Sequence, residues 1–303
     1  MQRITPVISL CYKLSTLGHA IAWFCGVLLL TITFAIQTAN AAVWQITYPK
    51  ALNERAKDFS YVVDLLELSL SKTGVKYAVT PTSEVMLQHK ALNYLKDNRQ
   101  VNVVWSMTDK QRESDLLPIR IPVYKGLIGW RVLLMHANNQ VRFARLQASD
   151  VMAKNSVQGM NWPDTKILRA NGYSVINATD YAETFQTMQR EQADFLPRSV
   201  TEVTGELENP ALTQNLVLEE NYVLRYPAAV YFFVNKKNKI LAKLLQQGLD
   251  MAIADGSFDE LFTATYEPML EALNVPERVM LNLNNPLLPE ATPLTNPALW
   301  YEQ

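Results

Sequence analysis

Apolar and polar positions beyond residue 42 sort the chain into short strands and amphipathic helices. Residues 43–48 alternate at every second position and predict a first strand, stopped by Pro49. Ser60 is placed as an N-cap for a helix over 61–72, where Val62, Val63, Leu66 and Leu70 recur at helical spacing, and Gly74 ends it. Residues 75–80 predict a second strand closed by Pro81, residues 83–96 a more polar helix, and residues 101–105 a third strand. The alternation βαβαβ predicts a parallel sheet with helices on its faces.

The apolar run 131–136 predicts a crossing into a second, smaller α/β unit. A weak strand at 156–158 leads through a turn at Gly159 to Trp162, and Pro163 fits the first position of a helix ended by Gly172. Strands follow at 173–176, at 193–196 before Pro197, and at 216–219, with a helix over 181–191 capped by Asp180 or Thr179. Residues 228–235 form a second apolar strand, taken as the return crossing. The two crossings, 131–136 and 228–235, are expected to lie side by side. Asn238 then caps a helix with Leu241, Leu244, Leu245, Leu249, Ala252 and Ile253 on one face. Ser257 to Glu260 fits a capping box opening the next helix. The tail 276–303 carries 5 of the 15 prolines and is expected to run extended over the surface, docked by Trp300 and Tyr301.

Composition narrows the function. The 303 residues carry a net charge of −1, which gives no electrostatic reason to expect nucleic acid as a partner. Residues 1–41 hold Arg3, Lys13, no acids and an apolar run over 20–36, followed by Ala39, Asn40 and Ala41 as a small-x-small cleavage site. This pattern predicts a leader cleaved before Ala42 and a periplasmic location, with an uncleaved membrane anchor as the rival. Both cysteines, Cys11 and Cys25, lie inside the leader, so disulfides, thiol nucleophiles and thiolate metal sites are excluded beyond it. His89 and His136 stand 47 residues apart without metal-ligand spacing. No phosphate loop, nucleophile elbow or dinucleotide fingerprint is present. No catalytic residue, metal or cofactor is expected, and the protein is not expected to be an enzyme.

The candidate chemistry lies in the polar turn Ser106 to Asp115, just past a strand end. In open α/β sheets ligands sit beyond the carboxyl ends of strands. Ser106 and Thr108 can offer hydroxyls there and Arg112 a planar fork for a carboxylate. Tyr48, Trp105 and Trp162 end elements facing the same crevice and could stack on a ligand. Arg120 and Arg198 complete the candidate set, against the alternative that they pair with Glu113, Asp115 or Glu202.

Taken in order, several pieces resemble the type II periplasmic solute-binding proteins, in the branch that includes amino-acid receptors of ABC transporters (family 3). They are Tyr48 and Pro49 after the first strand, Ser106 to Lys110 after the third, the crossover 131–136, Gly159 before a helix, Gln192 to Phe195 before a strand, and Ala254 to Phe258. The resemblance reaches from the end of the leader to about Leu273. It implies two α/β lobes joined by two hinge crossover strands, with lobe one over 42–134 and 228–303 and lobe two over 135–227. It further implies a monomer that closes on a small-molecule ligand and presents it to a membrane permease, or to a membrane sensor protein. Receptors of this kind hold the ligand carboxylate with an arginine three residues after a threonine like Thr108. Gln111 stands there and Arg112 follows. Ser199 stands where an acid holds the ligand ammonium, and Arg120 where a small polar residue is usual. A cleft with Arg112, Arg120 and Arg198 would favour an anionic ligand over a zwitterion, with Arg112 as the main charged contact.

Overall fold

The computed structural model describes residues 42–51 and 57–301; the leader expected over 1–41 lies outside the described residues. In chain order, β1 (Trp44–Lys50), α1 (Lys57–Lys72), β2 (Tyr77–Val85), α2 (Gln88–Lys96), β3 (Val104–Met107), a short α3 (Lys110–Asp115) and β4 (Leu117–Ile119) make up a first run. A second comprises β5 (Trp130–His136), β6 (Asn155–Gly159), α4 (Pro163–Ala170), β7 (Ser174–Ala178), α5 (Tyr181–Gln189), β8 (Leu196–Ser199), α6 (Val200–Leu207) and β9 (Leu216–Arg225). The chain then returns through β10 (Val230–Val234), α7 (Lys239–Ala254) and α8 (Ser257–Ala272), and adds β11 (Val279–Asn282). No helix among the described residues is long and apolar enough to cross a membrane.

Pairing divides the strands into two groups. β1 and β2 pair in parallel, and β10 lies antiparallel between β3 and β4. In the other group β5 lies antiparallel between β8 and β9, β11 joins β9 in parallel, and β6 pairs with β7. The apolar stripe of α7 packs on α1, and Gly248 makes that approach possible: a methyl group there would overlap the carbonyl oxygen of Ser69.

Local chemistry accounts for most element ends. Asn238 accepts from the Leu241 amide and Asp180 from the Glu183 amide, each satisfying a first-turn donor. Pro163 opens α4, and Gly74 takes a left-handed φ of 71° after α1. Other expectations give way. Ser60 lies inside α1, which begins at Lys57. The expected helix over 83–96 shortens to α2, because β2 continues through Pro81 to Val85. β2 is an edge strand, and its register with β1 is irregular between Tyr48 and Lys50, so prolines are tolerated there. Pro197 likewise sits within β8, at the edge of its sheet. The capping box at Ser257 is absent: Gly256 is the N-cap, and the Ser257 hydroxyl donates to Asp255 instead, at 2.7 Å. The tail supplies a strand, β11, that the proline content of the segment concealed.

The expected pairing of 131–136 with 228–235 is not formed. β5 pairs with β9 from Trp130 opposite Arg225, and β10 pairs with β3 and β4. Backbone hydrogen bonds do join the segments that flank these runs. The Tyr226 amide donates to the Gly129 carbonyl at 3.2 Å, and the Val123 amide to the Val230 carbonyl at 2.9 Å. Gly129 faces the carbonyl of Tyr226 so closely that a side chain there would overlap it. Buried strands carry no label for their partners, so periodicity cannot choose between β9 and β10.

Candidate functional site

The turn after β3 is held by its own polar groups. Asp109 caps α3, accepting from the Arg112 amide at 2.7 Å. The Arg112 guanidinium donates back to the Met107 carbonyl at 2.5 Å and pairs with Asp109 at 3.2 Å. Thr108 donates its hydroxyl to Glu113 at 2.8 Å, and its amide donates to Ala229 on the return crossing, also at 2.8 Å. Ser106 is buried, and its hydroxyl has no hydrogen-bond partner among the described residues. Tyr48 and Trp105 form an aromatic group with Phe59, their ring centroids 5.2–6.0 Å apart.

Opposite this turn stands the start of α4. Gly159 leaves room for the Trp162 indole, which a side chain at 159 would overlap, and Thr165 donates to the Gly159 carbonyl at 2.8 Å. Between turn and helix lies a cavity of about 320 Å³. Asp109, Lys110 and Arg112 line it from one side, and Asn161, Trp162 and Lys166 from the other. Pockets for small molecules start at about this size. Lys110 and Lys166 are exposed and make no ion pair among the described residues. Three cations face one anion in this wall, so its field favours a negative ligand.

Of the residues singled out in the sequence, Arg112 and Trp162 thus meet at this cavity. Arg120 pairs with Glu113 at 2.5 Å. Arg198 is buried, donates to both oxygens of Glu206 at 2.9 Å and pairs with Glu202 at 3.0 Å. Its guanidinium lies over the rings of Trp162, at 5.1 Å, and Tyr181, at 5.6 Å, while Tyr181 donates to Glu206. Burial works against the charge of Arg198, but Glu202 and Glu206 outweigh it and raise its pKa. Burial and then Glu206 raise the pKa of the Tyr181 phenol, so it stays a donor.

This network continues through Arg131, Asp164 and Tyr226, none of which was in the candidate set. Arg131, second in β5, donates to the Tyr226 hydroxyl at 2.8 Å and pairs with Asp164 at 2.8 Å and Glu202 at 3.6 Å. Tyr226 in turn donates to Asp164. Burial opposes the charge of Arg131, but Asp164, then Tyr226 and Glu202, hold its pKa above the ordinary value. Asp164 lies in the first turn of α4, where a carboxylate is favoured by the helix dipole. It takes the role that an anionic ligand would have at that terminus.

No protein-family model and no curated protein sequence matches the chain. Solved structures do. The probable amino-acid ABC transporter extracellular-binding protein ytmK from Bacillus subtilis is 20% identical with a TM-score of 0.57, the match covering 74% of this chain and 98% of that one. The BvgS periplasmic VFT2 domain of Bordetella pertussis is 14% identical with a TM-score of 0.54, covering 75% and 94%. An ancestral arginine-binding protein bound to arginine is 15% identical with a TM-score of 0.51, covering 74% and 98%. The α/β elements, their two groups of strands and these similarities together show that the chain has the two-lobed fold of the type II periplasmic solute-binding proteins.

Proposed function

We propose that the protein is a periplasmic solute-binding protein that captures a small anionic or amino-acid-like solute between two lobes and delivers it to an ABC-type membrane transporter. The carrying observation is the cavity where Lys110 and Arg112 face Lys166 and Trp162. Its walls come from the turn after β3 and the start of α4, so movement of one lobe on the other would close it. In this reading the lobes meet at Gly129 and Trp130 on the outward crossing and at Arg225 and Tyr226 on the return, slightly displaced from the limits read in the sequence. Arg112 holds the turn in shape, and the two lysines supply the charge that the ligand meets. Residues 1–41 export the chain. A binding protein needs no catalytic group, which agrees with the binding proteins of like fold.

The test is a thermal-shift screen of the purified protein with amino acids, dicarboxylates and small organic anions, since a ligand that binds the folded state raises Tm. Calorimetry on Lys166→Ala with the best compound should then show affinity about 10–100-fold weaker, the value of one charged hydrogen bond. Arg112→Ala should weaken binding as well, through loss of the turn's shape. Wild-type affinity in Lys166→Ala would remove the cavity from the binding site. A sensor module signalling to a membrane protein is the second reading, favoured by the similarity to the BvgS periplasmic domain. Binding of the same solute without any effect of the protein on its uptake would favour that reading.

A further inference from the structure

The C-terminal segment starts beside β9 and ends against residues 125–130 and α8. After β11, the Leu283 amide donates to the Arg225 carbonyl at the end of β9, at 2.7 Å. Asn284 and Asn171 exchange two hydrogen bonds, of 2.9 and 2.7 Å, and Asn171 is the C-cap of α4. Asn285 donates to the Pro227 carbonyl on the return crossing, at 2.9 Å, and its side-chain oxygen accepts from the Leu287 amide. Leu283 and Leu287 pack against Ile167, Tyr226 and Ala228. Farther on, the Tyr301 amide donates to the Lys125 carbonyl on the outward crossing, at 2.7 Å. Its ring sits between Trp130 and Phe262, at 5.6 and 5.4 Å, while Trp300 fills the space left by Gly126. Between these two anchorages, Pro286 and Leu287 enter the wall of the cavity beside Trp162 and Lys166.

We infer that residues 283–301 are a strap across the hinge, and that Leu287 on this strap sets the size limit of the ligand. The inference rests on the reading of the cavity as the ligand site. A segment hydrogen-bonded to both crossings resists their separation, because opening the lobes must break the Asn284–Asn171 and Asn285–Pro227 bonds or lift Tyr301 from its ring neighbours. The same tension holds Leu287 against Tyr226, so the third wall cannot retreat from a bulky ligand as an untethered loop would. Ligand size and lobe opening are then set by one element.

Two measurements test this. Spin labels at Ile240→Cys on α7 and Val141→Cys before β6, both exposed, report the distance between lobes in a chain with Cys11 and Cys25, its two cysteines, changed to serine. Without ligand, Asn171→Ala with Asn285→Ala should broaden the distance distribution and shift it outward, and a chain ended after Asn282 should do so further. Should the shortened chain not fold, the double variant decides, since it leaves the aromatic packing in place. An unchanged distribution in the double variant overturns the strap. In the second measurement, Leu287→Ala should extend the compounds that raise Tm to bulkier members of the series. The wild-type size profile in Leu287→Ala overturns the wall. If no compound stabilises the wild type, the reading of the cavity fails, while the distance measurement still decides the strap.

Discussion

Arg131→Ala is expected to lower the unfolding free energy by about 3–5 kcal/mol, the range for breaking a buried ion pair from one side. The side chain of Arg131 is only 6% exposed, and that of Asp164 9%. Its removal leaves the Asp164 carboxylate with the Tyr226 hydroxyl as its side-chain partner, in a place largely withdrawn from solvent. The loss is therefore dominated by the stranded charge, not by the interaction that disappears. Two further variants separate these contributions. Arg131→Lys keeps a charge but loses the fork that serves Tyr226, Asp164 and Glu202 together, and should lie between wild type and alanine. Adding Asp164→Asn to Arg131→Ala removes the stranded charge and should restore part of the loss, the signature of direct coupling. Urea denaturation of the set measures it. A loss below about 1 kcal/mol for Arg131→Ala would be the value of an exposed pair and would contradict the burial described.

Gly248→Ala is the second large effect, and its sign is informative. In an exposed helix interior, glycine to alanine gains up to about 1 kcal/mol through helix propensity. At 248 the new methyl group meets the carbonyl oxygen of Ser69, a backbone atom within α1 that cannot rotate away. Forcing extra volume into a packed interface costs about 1–3 kcal/mol. The steric cost wins, and a net loss of about 1–2 kcal/mol is expected, read as a lower denaturation midpoint with an unchanged slope. A rise in the midpoint would mean that α7 can move off α1 without penalty.

Much of the architecture was legible because it rests on local chemistry. The helix caps at Asp180 and Asn238, the left-handed stop at Gly74 and Pro163 at the head of α4 each follow from groups within a few residues of one another. Capping failed at Ser257, where Asp255 competes for the hydroxyl from two residues away. Strand partners were not legible, since β5 and β10 are both buried along their length and both enter sheets as central strands. At the candidate site the turn after β3 was marked by its polar residues next to a strand end. Arg198 was marked as a cation with Glu202 as its alternative partner, and that pair is formed; Glu206, four residues further on and its closer partner, was not weighed. Lys166 gave no such signal: its place in the wall depends on how α4 faces the turn, which only tertiary packing sets. Leu287 joins that wall from more than a hundred residues away, beyond the reach of any local pattern.

The order of strands in the sheets bears on how the molecule comes into being. β10 holds β3 and β4 together, and β9 lies between β5 and β11, yet β9 and β10 are among the last strands along the chain. A polypeptide emerging N-terminus first therefore carries β3, β4 and β5 for a hundred residues or so before their central neighbours exist. Closing such distant pairs is costly in chain entropy and slow. Neither group of strands can be completed before β9 and β10 have emerged, and Tyr301 settles between Trp130 and Phe262 later still. Assembly of both groups of strands thus waits for residues 216–234, and until these emerge β3, β4 and β5 lack the neighbours that join them into sheets.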